Sequence, residues 1–391
     1  NYQANTRKEF DIRRGIPAST PAIDLKLQTH NFLVNLKWKT KFSMDYEWGV
    51  NGILQDNYSN PNTGVKRLIP DYLRYQMGSY FLGAYSPSNS FSWDWGIRLD
   101  QNTWDVQKFY NVSDWEERDY AVLFPDFDVQ QFGNKLLVNP KLNFLTLATQ
   151  TGISIILGEQ FSASLTYVLS QRSPNASELF SDGLHHSLAT LEYGSLSLEK
   201  EISNKILLNF SKNKGRFKGT LEPYVSKISN YIFIGPTGIE QTIRGAFPVW
   251  QYDTTNASFW GVDAGVDYTF SEQFTFDINA SYTYAQDLIN REPLISIPPF
   301  NSSQILKYTS PKKKFDLELV NHFVSFQNRF PEMNFTVNTL QDGLIIEELV
   351  DISTPPSAYQ SIDFNFSLYF NLIKQSTSSI SFIVNNITQT K

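Results

Sequence analysis

Apolar and polar residues alternate over ten or more positions in several segments of the chain, a pattern typical of a β-strand whose two faces meet different environments. From Phe274 onward, apolar and aromatic side chains share one face while Thr, Asp, Asn and Ser share the other. The same alternation begins at Phe42, Phe91, Trp260 and Ile362. No stretch shows the period of an amphipathic helix. The pattern therefore predicts an all-β protein.

The lengths of strands and connections indicate what the apolar faces contact. Strands in soluble proteins are usually ~5–6 residues long, whereas a tilted strand that crosses a bilayer needs ~9–11. The alternating segments reach or approach the greater length, and short turns alternate with long excursions, an arrangement typical of outer-membrane barrels. The predicted excursions are 54–71, 101–138, 172–198, 231–258, 289–301 and 328–358.

Aromatic residues mark the short turns. Most of these turns are followed at once by a Phe on the apolar face of its strand, which predicts an aromatic girdle where lipid meets water. These residues are Phe42, Phe91, Phe161, Phe217, Phe274 and Phe315. About 15 strands are expected, from 1–14 to 379–389. Because bacterial barrels close with an even number of strands, at least one strand is expected to lie outside the chain.

Two irregularities interrupt the regular strand pattern. The apolar phase shifts between Leu27 and Phe32, and Pro223 lies inside a strand, where it cannot donate a hydrogen bond to the ladder. Each of these features predicts a β-bulge.

Composition narrows the class of protein. The 391 residues are 15% aromatic and 18% charged and include no Cys, which excludes a disordered chain and a disulfide-stapled scaffold. The net charge of −6 provides no basic excess for nucleic acid. Without a Cys nucleophile, a phosphate loop or a Gly-x-Ser-x-Gly elbow, the sequence predicts neither an enzyme nor a bound cofactor.

The most distinctive stretch begins at Gln171 with QRSPNASELFSDGLHH and resumes at Leu191 with LEYGSLSLEKE. It resembles the conserved region of TonB-dependent outer-membrane receptors, in which Arg-x-Pro-x-x-x-Glu-Leu-Phe leads through Gly-x-His to Glu-x-Gly-(x)-x-Leu-x-x-Glu. The strand start Phe259-Trp260-Gly261-Val262-Asp263 and the late Val384-Asn385-Asn386-Ile387-Thr388 also match the family. The resemblance therefore covers most of the chain.

The resemblance implies a transmembrane antiparallel up-and-down β-barrel, with about 15 of the family's 22 strands present. Residues 1–391 are expected to form one partial barrel domain, truncated at both ends. The family's N-terminal plug domain and its energy-coupling segment are not matched in this sequence.

The implied function is active uptake of a scarce nutrient across the outer membrane of a Gram-negative bacterium. The expected substrate is a ferric siderophore or similar metal complex, captured by extracellular loops. Expected partners are outer-membrane lipid, the protein's own plug domain, the TonB energy-transducing complex and the substrate, but not nucleic acid. Two alternatives remain open, a passive porin-type channel and a soluble or surface all-β binding module.

Candidate ligand contacts lie in the predicted loops. Loop residues carry function more often than framework residues do, and aromatic rings suit stacking on an aromatic or cyclic ligand. The ring candidates are Trp104, Tyr110, Trp115, Trp250 and Tyr252.

His185 and His186 are also candidates, since imidazole binds many metals. Neighbouring residues on an extended segment point to opposite sides, however, which favours a structural role over a shared ligand. No catalytic or metal site is predicted.

Overall fold

The structure, a computed structural model, describes residues 1–13, 15–242, 245–351, 353, 355–373 and 376–388. Strands dominate the described residues. They are β1 Tyr2–Glu9, β2 Ile23–Lys39, β3 Met44–Ser59, β4 Asp71–Ser88, β5 Phe91–Asn111, β6 Asp128–Phe132, β7 Lys135–Asn139, β8 Lys141–Leu157, β9 Phe161–Arg172, β10 Asp182–His185, β11 Thr190–Tyr193, β12 Glu201–Lys212, β13 Phe217–Thr242, β14 Gly245–Thr269, β15 Phe274–Asp287, β16 Asn301–Thr309, β17 Phe315–Val324, β18 Phe335–Gln341, β19 Leu344–Val350, β20 Tyr359–Phe370 and β21 Ser378–Val384. The helices are short: α1 Val112–Glu117, α2 Tyr120–Leu123, α3 Ala176–Phe180 and the 3-10 helix Pro61–Thr63.

Most strands form one antiparallel meander. Its order is β1-β2-β3-β4-β5-β8-β9-β12-β13-β14-β15-β16-β17-β20-β21. Four further strands, β6, β7, β10 and β11, lie in the excursions and complete a sheet of 19 strands, while β18 and β19 form a separate hairpin. The predicted all-β, up-and-down barrel architecture is confirmed.

The strand ends differ slightly from the predicted ones. The first strand was expected over 1–14 and is β1, with Arg14 outside the described residues. The last was expected over 379–389 and is β21, with Gln389 outside them. The turn before β21 also includes Lys374 and Gln375, which the structure does not describe.

The predicted excursion 231–258 has regular structure, because β13 and β14 continue through it as a tall hairpin. Register shifts between Ile228 and Tyr231, and between Pro236 and Gly238, change the phase of the pattern. Each irregularity breaks the strict alternation by which a strand is recognised.

The two predicted bulges are absent from the described ladders. The pairing of β2 with β3 runs from Leu25 to Lys39 without a register shift. The phase change near Leu27 therefore reflects which side chains are apolar and not a change in backbone pairing. Pro223 stays in register with Val262 of β14. It is accommodated without an inserted residue.

Aromatic rings near the turns contact one another across strands. The ring centroids of Phe274 and Tyr308 are 4.9 Å apart, those of Tyr308 and Phe315 6.0 Å, and those of Phe315 and Phe366 6.1 Å. These contacts form a band on the apolar face of the sheet. On the opposite face, polar side chains bond across strands, as Lys307 does with Glu318 at 2.9 Å.

The main apolar core lies in the excursions rather than between two sheets. Trp104, Tyr110, Leu179 and Phe180 are among its buried members. Within the described residues, the helices fall short of the length and apolarity that a membrane-crossing helix requires.

The apolar face of β15 offers a test of lipid contact. Placing an Arg in lipid costs ~2–4 kcal/mol near the bilayer centre and less toward the interface. Ile278 lies four positions beyond Phe274 on the apolar face, so we expect Ile278→Arg to cost about 2 kcal/mol of folding free energy. Urea titration of the full-length protein in lipid vesicles measures this cost.

The neighbouring lumen-face position provides the matched control. Asn279→Arg introduces the same charge on the same strand, and we expect a cost below about 1 kcal/mol because a lumen charge stays out of lipid. Equal costs for both variants would contradict the assignment of the two faces.

Candidate functional site

Two of the excursions fold together into a compact unit, here called the loop module and comprising residues 112–140 and 173–200. Rings from the end of β5 and from both excursions pack at its centre. The ring centroids of Trp104 and Phe180 are 5.7 Å apart, and Trp115 lies 5.2 Å from both Tyr110 and Tyr120. The module therefore has a packed core of its own above the barrel wall.

Three of the predicted ligand rings are part of that core. Trp104, Tyr110 and Trp115 expose only 1%, 2% and 3% of their surface. Neighbouring side chains already cover the faces that a ligand would stack on. In this structure these rings stabilise the loop module and are not an open binding surface, which corrects the expectation drawn from their loop position.

The distinctive sequence motif forms the base of the loop module. Asn175 caps α3 by accepting hydrogen bonds from the amides of Ser177 and Glu178 at 2.9 and 3.0 Å. The Glu178 carboxylate accepts from the Asn175 amide at 2.7 Å, which completes a capping box. Arg172 donates to Glu178 at 2.8 Å and to Glu201 at 2.6 Å. This arginine thus ties α3 to the ends of β9 and β12.

A buried group of charges anchors the segment after α3. Asp182 lies 2.6 Å from Lys66 Nζ and 3.3 Å from Lys108 Nζ, and Lys108 also donates to the Phe180 carbonyl at 2.8 Å. Burial lowers the pKa of Lys108 to about 8, although the Asp182 charge opposes this shift. Burial alone would raise the pKa of Asp182, but the positive charges of Lys108 and Lys66 outweigh it and hold that pKa below its ordinary value.

The two histidines contact different residues, as expected for neighbouring side chains that point to opposite sides of an extended segment. His185 Nδ1 lies 2.5 Å from Glu192 Oε1, and its Nε2 lies 2.7 Å from an Arg7 nitrogen. His186 Nδ1 lies 3.1 Å from Asp11 Oδ2. Their side chains are 14% and 1% exposed. These contacts join the loop module to β1 and to the chain that follows it, which favours the structural role.

The remaining two candidates lie beside each other on β14 but in different surroundings. Tyr252 packs against the core of the loop module. Burial, with a smaller contribution from the charges of Glu192 and Glu178, raises its pKa to about 12. Trp250 instead lines a separate cavity of about 680 Å³, here called the apolar cavity.

Three segments that are distant in sequence form the apolar cavity. The β13–β14 hairpin contributes Pro236 and Trp250, the loop after β15 contributes Leu294, and the chain between β17 and β20 contributes Phe330 and Met333. At ~3.3 Å per residue, Pro236 is on the order of 60 Å along β13 from Phe217. Even if the strand is strongly tilted, this distance places Pro236 beyond the ~25 Å apolar band of a barrel. The cavity therefore lies at the mouth, on the side of the long loops.

A second, polar groove of about 840 Å³ lies on the lumen face next to the apolar cavity. Glu222, Asp263 and His322 are among its lining residues. Pro298 and Pro299 line both spaces, so the same short segment separates the mouth from the lumen.

Sequence reasoning identified only one residue of the apolar cavity, Trp250. The missed signal is the concentration of prolines in the excursions, at 293–299 and 331–356. Proline restricts the backbone, which keeps the segments between the strands stiff where they border the cavity.

Tall antiparallel strands with an apolar outer face, a polar lumen face and folded loops at one end define an outer-membrane receptor-type β-barrel. Residues 1–387 match the model of the family described as TonB dependent receptor-like, beta-barrel. The chain belongs to this family.

Solved structures of similar fold agree with the family. The copper transporter OprC matches with a TM-score of 0.71 at 13% identity, over 99% of this chain and 55% of that protein. A double mutant of the Serratia marcescens hemophore receptor HasR, in complex with its hemophore HasA and heme, matches at 0.64 and 14%, over 94% and 57%. The siderophore receptor PirA from Acinetobacter baumannii matches at 0.62 and 13%, over 99% and 55%. At these identities the likeness shows the fold, and the chain spans about half the length of these structures.

Proposed function

We propose that this chain forms part of a TonB-dependent receptor that actively takes up a scarce nutrient across the outer membrane of a Gram-negative bacterium. The observation that carries the proposal is the family match over 1–387. A ferric siderophore or a similar metal complex is the proposed substrate. Receptors with this fold include ones described for copper, for heme with its hemophore and for siderophores.

The geometry supports a division of labour. The meander supplies a wall whose inner strands pair their backbone groups on both sides within the sheet, as lipid requires. The loops at the mouth supply binding surface, and the apolar cavity is of the size of a small-molecule site. The proposed partners are outer-membrane lipid, a plug domain against the polar lumen face, and the TonB complex, which supplies energy for release of the substrate.

A growth experiment tests the proposed substrate class. A strain that lacks the gene, and the same strain complemented with it, are grown on one iron source at a time, either a ferric siderophore or heme. Growth with excess free iron is the control. We expect the deletion strain to fail on at least one ferric siderophore and to recover with excess iron. Equal growth on every source would contradict iron-complex uptake.

A further inference from the structure

The apolar cavity has a lining that is unusual for a surface-level space. Prolines and apolar side chains form most of it, including Trp250, Ile297, Phe330 and Phe335, and none of the lining residues that the structure describes is an Asp or Glu. Such walls offer few hydrogen-bond partners. A sugar or a bare metal ion would lose hydration there without replacement, so the cavity suits an apolar group.

One side chain among the described lining residues of the apolar cavity is positively charged. Arg329 lines the cavity, and its guanidinium carbon lies 3.3 Å from the centroid of the Tyr284 ring. Its Nη2 donates to Gln286 Oε1 at 3.1 Å and to the Ala285 carbonyl at 3.5 Å. Within the described part of the chain, no carboxylate pairs with this guanidinium. The stacked group therefore retains donors for an external anion.

Polar bonds fix two of the three segments, the loop after β15 and the chain between β17 and β20. The Gln327 side-chain amide donates to the Ile297 carbonyl, and its oxygen accepts from the Arg329 amide at 3.1 Å. The Met333 amide donates to Ser353 Oγ at 3.1 Å. A site whose walls are fixed before binding loses less entropy when the ligand arrives.

We propose that the apolar cavity binds the apolar aryl or acyl part of an anionic molecule, with Arg329 recognising the negative group. This inference rests on the proposed function, since it treats the bound molecule as a substrate that first meets the receptor at the mouth of the barrel. The substrate class would accordingly be an amphiphilic anion. Its apolar part would occupy the space beside Trp250 while its negative group meets Arg329.

Binding of simple probes tests the inference without transport. The full-length protein in lipid nanodiscs is dialysed against 2-naphthoate, decanoate or the uncharged 2-naphthylmethanol, and empty nanodiscs give the lipid background. We expect one of the two anions to bind. If the cavity prefers an aryl group, 2-naphthoate is expected to bind about tenfold more tightly than 2-naphthylmethanol, because a charge-assisted hydrogen bond favours the carboxylate. Preference for decanoate would identify a lipid-derived acyl group instead.

Two variants separate the charge from the walls. Arg329→Gln is expected to weaken binding of the preferred anion about tenfold and to leave 2-naphthylmethanol unchanged. Trp250→Ala is expected to weaken both naphthyl probes. Arg216→Gln, an exposed arginine in a short turn at the other end of β13, is the matched control and is expected to bind as the parent does. The comparison of charged and uncharged probes on the parent protein tests the charge even if a variant fails to assemble.

The outcomes distinguish this inference from the proposed function. Failure of both anions to bind above the lipid background, or equal binding by the parent and Arg329→Gln, would overturn the inference even if the growth experiment supports iron-complex uptake. Probe binding that depends on Arg329 would support the cavity assignment even if the deletion strain grows normally on every iron source.

Discussion

Asp182→Asn is expected to make the loop module open about a hundredfold more often than in the parent protein. Lys108 is 6% exposed, and the variant would leave its ammonium group without a counter-charge. Breaking a buried pair costs ~3–5 kcal/mol. Because burial already lowers the pKa of Lys108 to about 8, the lysine can lose its proton, which keeps the cost near the low end, about 3 kcal/mol. Hydrogen–deuterium exchange of residues 176–186 in the full-length protein measures the opening.

Two further variants define the cause. Asp126→Asn removes an exposed carboxylate of the same loop module and is expected to leave exchange nearly unchanged. Adding Lys108→Met to Asp182→Asn removes both members of the pair and is expected to recover most of the protection, since no buried charge remains. If the double variant exchanges as fast as Asp182→Asn, the pairing with Lys108 is not the source of the stability.

The barrel wall could be predicted because its information is local. A strand between lipid and lumen alternates residue by residue, and the Phe residues after the turns, such as Phe217 and Phe274, fix the phase. The sequence did not predict that β13 and β14 continue as an upper hairpin. There, the register shifts beside Tyr231 and Gly238 depend on the pairing partner, which a single segment does not reveal.

The functional region could be predicted only in part because its contacts are distant in sequence. Loop position indicated that Trp104 was available to a ligand, yet Phe180 covers it. Nothing near Trp104 in sequence specifies that contact. The same limit applies to the apolar cavity, where Trp250 and Phe330 line one space only after three intervening strands have been placed. The sequence motif fared better, since the bonds within Asn175–Glu178 that cap α3 are local.

Gly194→Ala is expected to destabilise the loop module more than any other single substitution considered. An added Cβ would lie 2.6 Å from the Glu178 carbonyl oxygen and 2.8 Å from backbone atoms of both Leu179 and Phe180. These atoms belong to or border α3, which Arg172 and the capping box hold in place. Backbone cannot yield as a side-chain tip can, so we expect a cost of about 4 kcal/mol, above the usual range for overpacking.

Exchange in both halves of the loop module measures this effect. We expect faster exchange in residues 176–198 and also in 112–124, because Arg118 donates to the Gly194 carbonyl at 3.3 Å and would lose that partner if the chain shifts. Gly235→Ala is the matched control, since its added Cβ meets its nearest atom at an ordinary 3.5 Å. Parent-like exchange in Gly194→Ala would show that α3 and the chain at Gly194 are not in close contact.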